Sequence, residues 1–191
     1  YHKVNNISIS RTEIFLKKQI EQIILNCCLS IESLTLDCVT FKEKIEDELS
    51  TSYDFPKLKN LHLLYAPRTP PSINKYFASF NSLEALNLIN GCDEIFKELI
   101  KKSKNLVRLE IAGNFYDNSF FKDLSLNMPS RLQEFIFNNI LSSSRDDENL
   151  HYFNDFFVSQ SKTLERFETD ALIEPVEIMN AFKMPNMVEL S

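Results

Sequence analysis

The cysteines and histidines are the first candidates for chemistry, and they are widely spaced. The four cysteines are Cys27, Cys28, Cys38 and Cys92, and the three histidines are His2, His62 and His151. No C-x-x-C pair occurs and no histidine follows a cysteine at ligand spacing, so a zinc site would need long-range convergence. The pattern predicts reduced, mostly buried thiols, no metal, and a cytoplasmic or nuclear location.

Motifs for catalysis or for a nucleotide cofactor are absent from the sequence. The only glycines, Gly91 and Gly113, are too far apart for a G-x-G-x-x-G fingerprint or a phosphate-binding loop. No G-x-S-x-G or H-E-x-x-H occurs, and the 27 acidic residues show no pairing typical of an active site. The sequence therefore predicts a protein that is not an enzyme and has no cofactor.

Composition and charge exclude two further classes of partner. The chain has 191 residues, is 43% hydrophobic and has a formal net charge of −6. A surface with this acidic balance does not favour the DNA duplex or an anionic membrane, because both attract cationic faces. No apolar run approaches the length of a membrane span.

An internal repeat organises the whole chain. Apolar residues recur at positions 1, 4 and 6 of a unit, and the first positions are Val4, Ile31, Leu58, Leu83, Leu106, Leu132, Leu164 and Met187. Their alternation has the period of a short strand. Such a period across eight units indicates stacked supersecondary elements that bury a shared core.

Between these strands the apolar spacing predicts one helix per repeat. The residues with helical spacing include Ile14, Leu16, Ile20, Ile45, Leu49, Ile73, Tyr76, Phe77, Ile95, Leu99, Phe120, Leu124, Phe153, Phe156, Phe157, Ile178 and Phe182. Asp93 provides a helix N-terminal signal before Ile95. Residues 66–71, with three prolines, and the polar residues 141–149 are predicted loops. The serines at 142–144 could accept phosphate, although a solvated loop is the simpler interpretation.

The pattern L-x-x-L-x-L at intervals of 23 to 32 residues resembles the leucine-rich repeat family over the whole chain. It is most similar to the ribonuclease-inhibitor-like class, and in particular to the repeats of F-box/leucine-rich-repeat proteins. The family's ninth-position asparagine or cysteine is the main departure. That place holds Val39, Ala66, Gly91, Asn114, Ile140 and Leu172, so only Asn114 matches.

The resemblance implies an α/β solenoid shaped as a horseshoe, with a parallel sheet on the concave face and helices on the convex face. It implies one domain, residues 1–191, of about seven to eight irregular repeats. Both ends fall in predicted strands without a polar cap, which indicates a fragment of a longer chain.

The implied function is recognition of a protein target by an F-box-type ubiquitin ligase adaptor, which would reach ligase components through an upstream segment. Two alternatives are the ligand-sensing repeats of a nucleotide-binding immune-type receptor and a regulatory scaffold or inhibitor.

The residues that would face the partner follow from the alternation of side chains along a strand. Positions 4 and 6 point to the core, so positions 3, 5 and 7 face the open side. The predicted partner-binding residues are Thr35, Asp37, His62, Leu64, Asn87, Ile89, Arg108, Glu110, Ala112, Glu134, Ile136, Asn138, Arg166, Glu168 and Asp170. An apolar centre with a charged rim is typical of a protein-binding patch. In the alternative interpretation, Leu64 and Ile89 extend the core.

Overall fold

The structure is a computed structural model. It describes residues 4–10, 13–14, 26–37, 40–41, 53–64, 77–79, 81–90, 93–113, 120–128, 131–138, 147–169, 186 and 188–190. Within these ranges lie twelve strands, three helices with both ends described and the two helical residues Asn26 and Cys27. Each repeat contributes one strand to a common sheet.

A single open parallel sheet runs through all the repeats. Its strands are β1 (Asn6–Ser10), β3 (Ser33–Asp37), β6 (Asn60–Leu64), β8 (Ala85–Ile89), β9 (Arg108–Ala112), β10 (Glu134–Asn138), β11 (Arg166–Thr169) and the two-residue β12 (Glu189–Leu190), in that spatial order. Every neighbouring pair is parallel. The predicted strands and their repeat are confirmed.

The register of the sheet follows the repeat without a slip. Residues at the same repeat position are partners, as in Asn60 with Ala85 and Leu61 with Leu86. Just before each pair of strands, the carbonyl at position 2 accepts two backbone N–H groups of the next repeat. The carbonyl of Glu32, for example, accepts from Lys59 at 2.8 Å and Asn60 at 3.1 Å. These bonds lock each strand to its neighbour before the ladder begins.

Helices follow the strands in the repeats that begin at Leu83, Leu106 and Leu132. They are α1 (Asp93–Lys102), α2 (Phe120–Asn127) and α3 (Asp147–Gln160). The predicted start at Asp93 is confirmed. Helix α3 begins earlier than expected, so the prediction of a loop is wrong for residues 147–149. Its acidic first residues favour a helix N-terminus, where the backbone dipole is positive.

In the first three repeats, short strands lie in the segments that follow the main strands. They are β2 (Glu13–Ile14) paired with β4 (Thr40–Phe41), and β5 (Tyr53–Asp54) paired with β7 (Phe77–Ser79). The helix prediction for Ile14 and Phe77 is therefore wrong. Pairing between equivalent points of successive repeats overrides the apolar spacing, and branched and aromatic residues fit a strand. Asn26 and Cys27 are helical.

Several other residues with predicted helical spacing lie outside the described ranges. They are Leu16, Ile20, Ile45, Leu49, Ile73, Tyr76, Ile178 and Phe182. The proline-containing residues 66–71 and the serines at 142–144 also lie outside them.

The core lies between one face of the sheet and the helices. Positions 1, 4 and 6 supply most of its strand side, and the helices add Leu99, Ile100, Phe121, Leu124, Phe156 and Phe157. Six phenylalanines cluster where β10 and β11 meet α2 and α3, with ring centroids 5.1 Å apart for Phe135 and Phe156. The centroids of Phe157 and Phe167 are 4.9 Å apart. Phe121, Phe156 and Phe157 of the helices therefore belong to the core.

Polar side chains also join consecutive repeats. The residue before position 1 donates a side-chain hydrogen bond to a backbone carbonyl of the preceding repeat: Ser82 to Pro56, Asn105 to Asn81, and Asn186 to Lys162. The fully buried Gln160 accepts from the Leu132 N–H at 3.0 Å. The sequence analysis missed these bonds, although a recurring polar residue just before the apolar triplet was a usable signal.

Candidate protein-binding face

The face of the sheet opposite the helices is formed by positions 3, 5 and 7, and it is called here the open face. The structure places fourteen of the fifteen predicted residues on its strands at the predicted positions, and Asp170 lies outside the described residues. Register brings them into rows. The position-5 row runs Ser8, Thr35, His62, Asn87, Glu110, Ile136, Glu168 across seven strands.

The middle of the open face carries aliphatic side chains. Leu64 and Ile89 are register partners, and Ile89 is also the partner of Ala112. Both Leu64 and Ile89 are partly exposed, whereas the preceding residues Leu63 and Leu88 are 2% and 1% exposed. The alternation therefore directs Leu64 and Ile89 away from the core, as expected for an apolar patch on the open face.

Ile136 differs from the other aliphatic residues of the open face because it is only 6% exposed. Its register partners are Glu110 on β9 and Glu168 on β11. Long charged side chains cover apolar surface with their methylene groups while their charged ends stay in water. Ile136 thus provides an apolar base beneath charged neighbours and offers little surface to a partner.

Five charged residues on β9, β10 and β11 form a continuous chain of ion pairs, called here the charge ladder: Glu110, Arg108, Glu134, Arg166 and Glu168. Arg108 contacts Glu110 and Glu134, each at 3.4 Å. Arg166 contacts Glu134 at 2.8 Å and Glu168 at 2.7 Å. Negative and positive side chains therefore alternate along the whole ladder.

The ladder uses its three carboxylates unequally. Both oxygens of Glu134 take part, Oε1 with Arg166 and Oε2 with Arg108. Glu110 and Glu168 use only Oε2. Three carboxylates against two guanidinium groups leave an excess of negative charge at the two ends. The sequence analysis placed these charges on the rim without foreseeing that they pair, although Arg108, Glu134 and Arg166 at one repeat position indicated it.

His62 and Asn87 continue the position-5 row beyond Glu110. Burial lowers the pKa of His62 below its usual value of 6.5, the Glu110 carboxylate opposes this, and Arg108 adds to it. His62 is therefore neutral at neutral pH. Asn87 lies between His62 and Glu110, and its buried Oδ1 has no hydrogen-bond partner in the described part of the chain.

The described residues contain no group of three or more His, Cys, Asp or Glu side chains that could hold a metal ion. Cys27 and Cys28 are free thiols, with Cys28 buried and Cys27 partly so. The other two cysteines and His2 lie outside the described ranges. Over the same ranges, no helix has the length and apolar character needed to cross a membrane.

A scan of the chain against models of protein families gives no match, and neither does a search of curated proteins. The repeat, the sheet and the side chains of the open face are therefore the features that point to a function.

Proposed function

We propose that the chain is a leucine-rich repeat solenoid whose open face is the concave surface of a horseshoe and binds a protein target. The target would be the substrate of an F-box-type ubiquitin ligase adaptor, in the cytoplasm or nucleus. The free thiols of Cys27 and Cys28 are compatible with a reducing compartment.

The observation that supports binding is the arrangement of the open face. Partly exposed Leu64 and Ile89 lie on the neighbouring strands β6 and β8, and β8 pairs in turn with β9, where the charge ladder begins. An apolar patch beside charged residues is the usual anatomy of a protein interface. Regular strands also hold these side chains more rigidly than loops would, which lowers the entropy cost of association.

The ligase role is supported by the resemblance of the L-x-x-L-x-L repeats to F-box/leucine-rich-repeat proteins. A fold of this kind serves many functions, so the role needs its own test. In cells, a target captured through the open face should accumulate when the parent gene is silenced, and its ubiquitination should fall. A target whose level and ubiquitination do not change would favour a scaffold without ligase function.

Binding through the open face is tested by Leu64→Glu combined with Ile89→Glu. Charges on partly exposed positions should abolish capture of the target while cooperative thermal unfolding persists. Leu126→Glu combined with Val158→Glu is the matched control, because these residues are 70% and 60% exposed on α2 and α3. Equal loss of capture in both double variants would contradict the proposal, as would loss of cooperative unfolding in the first.

A further inference from the structure

The charges of the open face discriminate between acidic and basic partners. Each arginine of the charge ladder is held by two glutamates, Arg108 by Glu110 and Glu134 and Arg166 by Glu134 and Glu168. An acidic partner that approached either guanidinium group would bring its carboxylate beside the two glutamates that already pair with it. The ladder thus disfavours the binding of anionic segments at Arg108 and Arg166, which are the only arginines of the open face within the described strands.

The two ends of the ladder favour the binding of a cationic partner. Glu110 and Glu168 each contact arginine through Oε2 alone, which leaves Oε1 of both carboxylates for another donor. Their side chains are 22% and 34% exposed, so they are reachable but partly removed from water. Partial burial strengthens the attraction between a carboxylate and an incoming cation.

Apart from the two ladder arginines, the register neighbours of Glu110 and Glu168 carry no positive charge. On one side of Glu110 lie Asn87 and His62, both uncharged at neutral pH. On the other side of Glu110 lies Ile136 on β10, and Glu168 on β11 follows it. Two strand spacings separate Glu110 from Glu168, which is a distance of about 10 Å. In an extended segment, side chains two or four residues apart lie on the same face at about 7 or 13 Å, and the long stems of lysine and arginine make up the difference from 10 Å.

We propose that the occupant of the open face is a basic protein segment, whose lysine or arginine side chains bind the Oε1 atoms of Glu110 and Glu168 at the two ends of the charge ladder. Its apolar side chains contact Leu64 and Ile89. This inference rests on the proposed function and names the chemistry of the partner.

The probe for the test is a library of random-sequence displayed peptides, selected on the whole chain. The selected peptides should be enriched in lysine and arginine. Glu110→Gln combined with Glu168→Gln should weaken their binding about tenfold or more, since charge-assisted bonds to partly buried carboxylates are lost. Glutamine keeps the size of the side chain and can still accept from arginine, so the melting temperature should change little.

Glu84→Gln combined with Glu165→Gln is the matched control. Both residues are exposed at position 2, just before β8 and β11, and the pair removes the same number of charges. Binding of the selected peptides should be nearly unchanged. Equal weakening in the two double variants would show attraction to net charge alone and would overturn the inference. No excess of lysine and arginine, or failure to recover any peptide, would also overturn it.

Leu64→Asn combined with Ile89→Asn separates this inference from the proposed function, because it removes the apolar contacts without adding carboxylates that would attract a basic segment. Peptides that lose binding to that variant but not to Glu110→Gln/Glu168→Gln would leave the open face as an interface and overturn its basic specificity. Peptides that bind both variants like the unmodified chain would contradict the two proposals together.

Discussion

The first two repeats and the repeats of β9 and β10 share one sheet and one register, but the depth of their burial differs. No residue of β1 is fully buried, and β3 buries only Leu34. In contrast, β9 buries two residues and β10 three, with helices α1 to α3 packed behind them. The third-repeat strand β6 already buries Leu61 and Leu63, so burial deepens between β3 and β6, away from the edge strand β1.

The two regions also present different open faces. Small polar residues such as Ser8 and Thr35 occupy β1 and β3, whereas the charge ladder lies on β9 to β11. Side chains that must meet a partner in fixed geometry benefit from a rigid support. The ladder therefore lies where the backbone is best anchored, directly opposite the phenylalanine cluster.

The largest loss in the free energy of unfolding should come from truncating a core leucine. The two regions can be compared by making the same change at the same repeat position in each. Leu109 on β9 and Leu34 on β3 both occupy position 4 and are 0% and 7% exposed. Leu→Ala in a core costs about 2 to 5 kcal/mol, with the highest values where neighbours cannot relax into the cavity. We expect the loss in the free energy of unfolding, measured with urea, to lie near the upper end of this range for Leu109→Ala and near the lower end for Leu34→Ala.

Leu126→Ala on the exposed side of α2 is the control for this comparison and should change the free energy of unfolding by less than about 0.5 kcal/mol. Equal costs for the two core variants would show that both regions bury their position-4 residues equally well, and the contrast drawn between them would fail.

A substitution in the turn after β9 should cause the next largest loss of stability. Gly113 has φ = 118°, and a Cβ there would overlap Oδ1 of Asn90, which itself has φ = 50°. Gly113→Ala combines a disfavoured backbone conformation with this overlap, and strain of the first kind alone costs about 1 to 3 kcal/mol. Chemical denaturation should show a loss of at least that size.

A second variant separates the two causes. Asn90→Gly in the Gly113→Ala background removes the overlap with Oδ1, although the Asn90 backbone N and Cα remain 2.9 and 3.0 Å from the added Cβ. The double variant should recover part of the loss. If Gly113→Ala alone is as stable as the unmodified chain, the turn is not fixed by this glycine.

The strands of the sheet were predictable because their apolar alternation is local and repeats at a regular interval. Helices were predictable at Asp93 because an N-terminal signal agrees with the apolar spacing. The same spacing failed at Ile14 and Phe77, because strand pairing with a neighbouring repeat depends on residues 24 or more positions away. The positions of Glu110 and Glu168 followed from the alternation, whereas their ion pairs depend on side-chain conformations that no sequence spacing specifies.

His62 connects the two regions, and its effect should be the smallest. It lies on β6, in the third repeat, and its pKa responds to Arg108 and Glu110 on β9. Because burial lowers the pKa of His62 in the folded state, the imidazole binds a proton more readily in the unfolded chain. The contribution of His62 to stability is complete above the unfolded-state pKa of about 6.5 and is lost as the pH falls from there through the lower folded-state pKa.

Melting temperatures measured between about pH 7.5 and pH 5 should therefore fall less steeply for His62→Gln than for the unmodified chain. His151→Gln, at a side chain 70% exposed on α3, is the control and should keep the original slope. Parallel curves for His62→Gln and the unmodified chain would mean that His62 is as solvated in the folded state as in the unfolded one. The row from His62 to Glu110 would then be open to water, and the partial burial that strengthens Glu110 as a cation site would be lost with it.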